Sequence, residues 1–403
     1  MTAVLENRII RKGNPDYVLL AVIAVLLIVG VDMVYSASFV IAHNSPQYRS
    51  DTYFLVRQLL WVGMGLVVML ALMRIDYHHW RRLSVPALAI ILILLVVVLL
   101  TRFGHSAYGA QRWLSIGPLP PIQPSEFAKL ALVLYLADLL SRRGERLRTL
   151  SYGAIPFAAV LGTVAALVLL QPDLGSAFVI VLSGVCLFFL AGADLRHFFA
   201  GMIIGAVGLV LAITGTGYRS DRIAAFLDPQ QDPLGVGWHI IQSQIALGSG
   251  GLFGLGLGAS RQKFYYLPGA HTDAIYAVIG EELGLIGTLL VLGLIALIAY
   301  RGFQITLSAP DSFGSLLAAG VTFWIVFQAL INIAVVTATL PFTGIPLPFV
   351  SHGGSSMIVS LAAMGILLNV SRHRVAFRPE KNLRKGAEPR SRSAFRSASL
   401  GRS

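Results

Sequence analysis

Long apolar stretches separated by short polar ones dominate the chain. In the stretch 83–101, positions 90–100 hold only aliphatic residues. A helix crossing about 30 Å of hydrocarbon needs roughly 20 such residues, and there only a helix satisfies its own backbone. The pattern predicts an all-α polytopic membrane protein with about ten transmembrane helices, near residues 17–38, 54–74, 83–101, 123–140, 152–170, 174–192, 197–217, 274–300, 313–339 and 353–371. No internal repeat is visible, which argues against a transporter built from inverted repeats.

The polar interruptions set an orientation. Alternate connections carry Arg74, Arg81 and Arg82, then Arg142, Arg143, Arg146 and Arg148, then Arg196, then Arg301, then a basic end. Basic residues gather on the cytoplasmic side of spans, so both termini are expected in the cytoplasm. The chain divides into a cytoplasmic segment 1–16, a membrane domain 17–371 and a basic, disordered tail 372–403. The first span is preceded by Arg8, Arg11 and Lys12 and lacks a small-residue cleavage site, which predicts a retained helix. Two outward connections, 103–122 and the large loop 218–273, exceed the ~12–15 residues beyond which structureless loops are uncommon. Within the second, 236–247 has helical spacing and predicts a short helix lying at the membrane interface.

Composition agrees: 56% of the 403 residues are hydrophobic and 12% charged, more apolar surface than one soluble domain can hide. The net charge of +12 does not point to nucleic acid, because much of the excess lies in 372–402, away from any folded basic face. Its expected role is topology and attraction to anionic lipid. The single cysteine, Cys186, excludes an intrachain disulfide and a cysteine-cluster metal site.

Candidate chemistry concentrates in KFYYLPGAHTDAIYAVIGEELG, residues 263–284. Asp273 falls where the long loop enters the eighth span, so it is either a helix cap or a functional carboxylate. Its loop also carries Lys263, Arg261, His271, Arg219 and Arg222. Glu281 and Glu282 follow at membrane depth, where a carboxylate needs a partner or a wet cavity. At 100° per residue Glu281 could line the Asp273 cavity, whereas Glu282 points away and should pair with a neighbouring helix. A second set is Gln111, Arg112 and Trp113, followed by Gln123, Ser125, Glu126 and Lys129. Three residues apart on a helix, Glu126 and Lys129 are placed either to bind substrate or to neutralise each other. Asp173, in Gln171-Pro172-Asp173, is best read as a helix cap. The glycines of 254–259 lack the preceding strand a dinucleotide site needs. Ser260 to Lys263 fits S-x-x-K without the companion K-T-G motif, and Ser355 and Ser356 read as helix start and packing.

Together these segments resemble the SEDS family of shape, elongation, division and sporulation proteins, the FtsW, RodA and SpoVE group. The likeness covers about 17–371 and rests on AQRW at 110–113, QPSEFAKL at 123–130, QPDLGS at 171–176, AFLDPQQDPLG at 225–235, YLPGAHTD at 266–273, IGEELG at 279–284 and PFVSHGGSS at 348–356. The Q-K-x-x-Y-L-P-x-A-H-T-D form is similar to the division branch more than to the elongation branch. Gly269, Ala274 and His352 depart from the family's Glu, Phe and Tyr; the first leaves Asp273 as the main acidic group of its loop.

The resemblance implies a peptidoglycan glycosyltransferase of the bacterial cytoplasmic membrane that polymerises lipid II at its outer face, for septal wall. It makes Asp273 the essential loop aspartate and Trp113 the AQRW tryptophan. Arg219, Arg222 and Lys263 are then candidates for the diphosphate. Arg112, Gln123, Ser125, Glu126, Lys129, His271 and Glu281 complete the expected substrate-binding set. Asp273 is either a general base or a ligand of a divalent cation, Mg²⁺ or Mn²⁺. A class B penicillin-binding transpeptidase and other division proteins are the implied partners. The alternatives are a lipid II flippase and a scaffold that recruits a transpeptidase without catalysis.

Overall fold

The structure, a computed structural model, describes residues 8–377 except 47, 49, 101–103, 108–109, 116–119, 195, 198, 202, 204, 206 and 209–216. Its helices are α1 (Tyr17–Asn44), α2 (Tyr53–Arg74), α3 (His78–Leu100), α4 (Pro124–Arg143), α5 (Ile155–Leu170), α6 (Leu174–Leu190), α7 (Gly217–Leu227), α8 (Trp238–Ser249), α9 (Ile275–Ser308), α10 (Ser312–Val336) and α11 (Gly354–Arg372). Two short antiparallel ribbons accompany them: β1 (Arg8–Lys12) pairs with β4 (His373–Phe377), and β2 (Gly104–Ala107) with β3 (Ala110–Leu114). The first residues of the predicted disordered tail therefore belong to a ribbon, and 378–403 lie outside the described residues.

Seven helical stretches are long and apolar enough to cross a membrane: α1, α2, α3, α5 with the turn before it (Leu150–Leu170), α9, α10 and α11. Two more predicted spans coincide with helices that miss that standard for different reasons. α6 is apolar but has only 17 residues, and α4 carries Glu126, Lys129 and Asp138, all buried. The predicted span 197–217 falls largely outside the described residues. The chain is an all-α multi-pass membrane protein.

Burial sorts the helices into layers. In its most apolar window α11 is 89% buried and α10 67%, against 22% for α2 and 28% for α3. α10 and α11 are therefore the core, while α2 and α3 turn residues such as Val67 and Ile93 outward, as lipid-facing helices do. Lipid removes most of the hydrophobic drive between helices, so close approach at small residues matters more. Gly365 of α11 packs directly on the Met69 backbone of α2, where any side chain would collide.

The helix ends form two polar faces. At one, Asp16 caps α1 by accepting from Leu19 N at 3.0 Å and also accepts from Arg301 Nε at 2.9 Å. There too, Asp138 accepts from Arg81 and Arg142 at 2.8 and 2.6 Å, and Tyr77 donates to Asp311, which caps α10. These are arginines the sequence assigns to one side of the membrane. The opposite face gathers the long loops and the candidate chemistry.

Candidate active site

The Asp273 turn is built by backbone. Gly269, at φ +67, accepts from Thr272 N and Ala274 N at 2.9 and 3.1 Å. A side chain at 269 would overlap Asp273 Oδ1 in addition to straining a left-handed backbone, so glycine suits this placement. Asn332 of α10 donates one proton each way, to the Asp273 carbonyl at 2.7 Å and to the Ile345 carbonyl at 2.8 Å. Ser351 Oγ donates to Thr272 O at 2.5 Å, and His352 N to His271 O at 2.9 Å. The turn is thus clamped between α10 and the segment 345–352.

Asp273 is not the helix cap: Ala274 occupies that position, and no side chain caps α9. Its carboxylate accepts one hydrogen bond, from Thr272 Oγ1 to Oδ1 at 2.9 Å, and among the described residues none reaches Oδ2. A side-chain carbon at Gly344 would stand 3.7 Å from that oxygen. Two residues away, Phe342 carries Arg222 Cζ 4.6 Å from its ring and accepts from Arg222 Nη1 through its carbonyl at 3.0 Å. The His239 ring lies 4.1 Å from the Phe342 ring. Burial holds the His239 pKa below its usual value; the Asp273 carboxylate opposes this and the Arg222 guanidinium adds to it. A carboxylate, a guanidinium and an imidazole therefore meet around one aromatic ring.

Of the expected cations, Arg222 reaches this site, delivered by α7, a helix within the segment expected to be loop. The side chain of Arg219 lies outside the described residues. Lys263 is placed otherwise. It is 2% exposed, and its ammonium donates to Gly258 O at 2.6 Å, Ser36 Oγ at 3.1 Å and Glu282 Oε1 at 3.1 Å. All three protons are committed, so it anchors the loop in place of standing free for a diphosphate.

Glu281 also serves the loop, not the Asp273 cavity. Ser260 Oγ and Arg261 N donate to it at 2.5 and 2.8 Å. Glu282 takes Ser36 Oγ at 2.6 Å and the Gly258 and Ser260 amides at 3.0 and 3.2 Å, pairing with neighbouring α1 as expected. Both sit just before a break in α9 at Gly284, where φ is +67 and ψ −164. The glycine loop packs on that break: Leu255 N and Gly256 N donate to the Glu281 and Glu282 carbonyls at 2.9 and 3.0 Å.

The second constellation forms its own network. Arg112 donates to the Gln171 carbonyl at 3.2 Å and to the Pro172 carbonyl, tying β3 to the α5–α6 turn. Asp173 caps α6 through Ser176 N at 3.1 Å and accepts from Ser125 Oγ at 2.9 Å and Gln123 Nε2 at 3.2 Å. Lys129 donates to Glu126 and Gln328 at 2.7 Å each, and the Glu126–Lys129 pair is buried. It neutralises itself inside the bundle. Trp113 is half-buried in β3. The His271 ring packs tilted against Phe54 at 4.8 Å, with burial pushing its pKa down to about 4. His239, Asn332 and Phe342 were not anticipated. The signal for His239 was present, a histidine on the one amphipathic helix predicted in the long loop.

A multi-pass membrane protein with one under-partnered carboxylate beside a cation, at the face carrying its long loops, is the class this geometry defines. A family model described as "Cell cycle protein", covering FtsW, RodA and SpoVE, matches residues 17–376. The chain is 44% identical to the probable peptidoglycan glycosyltransferase FtsW of Trichlorobacter lovleyi, covering 90% of this chain and 94% of that one. It is also 44% identical to stage V sporulation protein E of Bacillus subtilis, over 90% and 98%. Among solved structures, a chain of a peptidoglycan synthase complex that coordinates polymerization and crosslinking superposes with a TM-score of 0.71 at 32% identity, covering 89% of this chain and 98% of that one. The rod shape determining protein RodA of Thermus thermophilus gives 0.66 at 30%, over 89% and 97%. The chain belongs to the FtsW/RodA/SpoVE family.

Proposed function

We propose that the chain is a peptidoglycan glycosyltransferase that polymerises lipid II at the outer face of the bacterial cytoplasmic membrane, in septal wall synthesis. The observation that carries this is the Asp273 carboxylate, which is no helix cap, has an oxygen without a hydrogen bond among the described residues and shares its surroundings with Arg222. The acceptor 4-hydroxyl attacks the anomeric carbon of the donor. The new C–O bond forms as the bond to the diphosphate breaks, and Asp273 takes the hydroxyl proton, a role generally worth 10² to 10⁴-fold in rate. Arg222 offsets charge growing on the diphosphate.

The basic residues of the opposite face support cytoplasmic termini by the positive-inside rule. Relatives named as FtsW and the likeness to a synthase complex support a division role with a class B penicillin-binding transpeptidase as partner. A divalent cation, Mg²⁺ or Mn²⁺, fits Asp273 only if shared with diphosphate oxygens. Among the described residues no three His, Cys, Asp or Glu side chains gather to hold an ion alone. Bound there, it would neutralise leaving-group charge.

The test mixes the purified chain and its partner with lipid II and resolves products by length. Polymer should form with the wild type and fall at least a hundredfold for folded Asp273→Asn. Full polymerisation by that variant, or a wild type that moves lipid II across vesicles without ever joining it, overturns the reading.

A further inference from the structure

His239 is unusual for a buried polar side chain. A neutral imidazole offers one N–H and one acceptor, yet both ring nitrogens are shielded from solvent and neither makes a hydrogen bond among the described residues. The Pro268 carbonyl stands near the ring without meeting hydrogen-bond geometry, and the Asp273 carboxylate acts on it electrostatically. Its neighbour Trp238 shows what satisfaction looks like on the same helix, with Nε1 donating to Tyr266 O at 2.7 Å. Buried groups left unpaired destabilise a fold, and in native proteins each such case calls for a functional explanation.

The surroundings supply one. The ring is fixed against Phe342, whose other neighbour is Arg222, and it stands by the carboxylate assigned to the reaction. We propose that His239 is a substrate-binding residue whose neutral imidazole hydrogen-bonds an uncharged sugar substituent, a hydroxyl or acetamido group, of the glycan beside Asp273. The inference rests on the glycosyltransferase reading above. An uncharged group is the better match because the guanidinium at the same aromatic ring already provides for phosphate. Burial, with Arg222 adding to it, keeps the ring neutral at neutral pH despite Asp273.

Two variants of the full chain test it. His239→Phe keeps a ring on Phe342 and removes both nitrogens; His239→Gln keeps a donor and an acceptor. Binding of lipid II is measured in an Asp273→Asn background, so turnover plays no part, and thermal unfolding is measured without substrate. His239→Phe should bind about tenfold more weakly while unfolding at a higher temperature, because two unpaired buried atoms are gone. His239→Gln should bind within about threefold of the histidine protein. Unchanged binding by His239→Phe overturns the proposal, as does Gln binding as poorly as Phe. A Phe variant that unfolds earlier or fails to fold assigns His239 a structural role and overturns it too. A chain that binds lipid II through His239 but never makes polymer sinks the enzymatic reading alone; a polymerising chain indifferent to His239→Phe sinks this one alone.

Discussion

Asp273 and the pair Glu281–Glu282 lie within ten positions on the same stretch, yet their surroundings are opposite. The glutamates accept from Ser36, Gly258, Ser260, Arg261 and Lys263, and Glu282 is fully buried. Asp273 accepts from its adjacent threonine only, among the described residues. The loop at 250–263 has no helix to satisfy its backbone, and amides in a membrane protein must find partners. Glu281 and Glu282 provide them, so their lone pairs are occupied by the fold. Asp273 has been spared that duty: Asn332 and Ser351 hold its turn through backbone carbonyls and leave the carboxylate available. Saturation marks the structural carboxylates, and openness sets apart the one proposed for chemistry.

The largest expected effect attacks the saturated side. Lys263→Met removes the ammonium and leaves Glu282 buried without its countercharge, a change that costs about 3–5 kcal/mol. Chemical or thermal unfolding in detergent should show that loss, and Lys263→Met combined with Glu282→Gln should recover much of it. A Lys263→Met protein as stable as the wild type, with a selective defect in donor use, would return this lysine to the diphosphate site and erase the contrast.

A second effect, present only at acid pH, belongs to the histidines behind the Asp273 turn. Burial pushes His271 down to about 4 and His352 to about 3, with His271 and Arg57 adding to the latter. Both folded values lie below the unfolded value near 6.5, so beneath that pH the unfolded chain binds more protons. Their contribution to stability is complete above about pH 6.5 and is lost as pH falls toward 4 and then 3. The unfolding temperature should decline across that window, and His271→Gln with His352→Gln should flatten the decline. A profile unchanged by the double substitution would mean that these rings do not pack as described.

How far the sequence reached follows the range of the forces involved. Nine of the predicted spans coincide with helices because twenty consecutive apolar residues have one stable solution in lipid. Asp173 was legible as a cap since its partner, Ser176, is three residues away. The Asp273 site was located by motif, but its neighbours were not, because Arg222, His239 and Phe342 come from three separate segments. Lys263 looked like a free cation for the same reason. Its partners Ser36 and Glu282 are set by the path of the glycine loop over the break at Gly284, and a glycine inside a helical pattern does not by itself announce a break. The β2–β3 ribbon was too short for periodicity to register.

The smallest expected change is the most informative about the open side. Asparagine at 273 keeps an oxygen for the Thr272 hydroxyl and leaves the Asn332 clamp untouched, since that clamp grips the main chain. Asp273→Asn should therefore unfold within about 0.5 kcal/mol of the wild type, the range of substitutions that disturb no buried network, or slightly later, as substitutions at sites kept for activity often do. The measurement is the same denaturation series used for Lys263→Met. A loss of comparable size for Asp273→Asn would mean that this carboxylate, like Glu282, holds the structure together, and any fall in its activity would then have a folding cause.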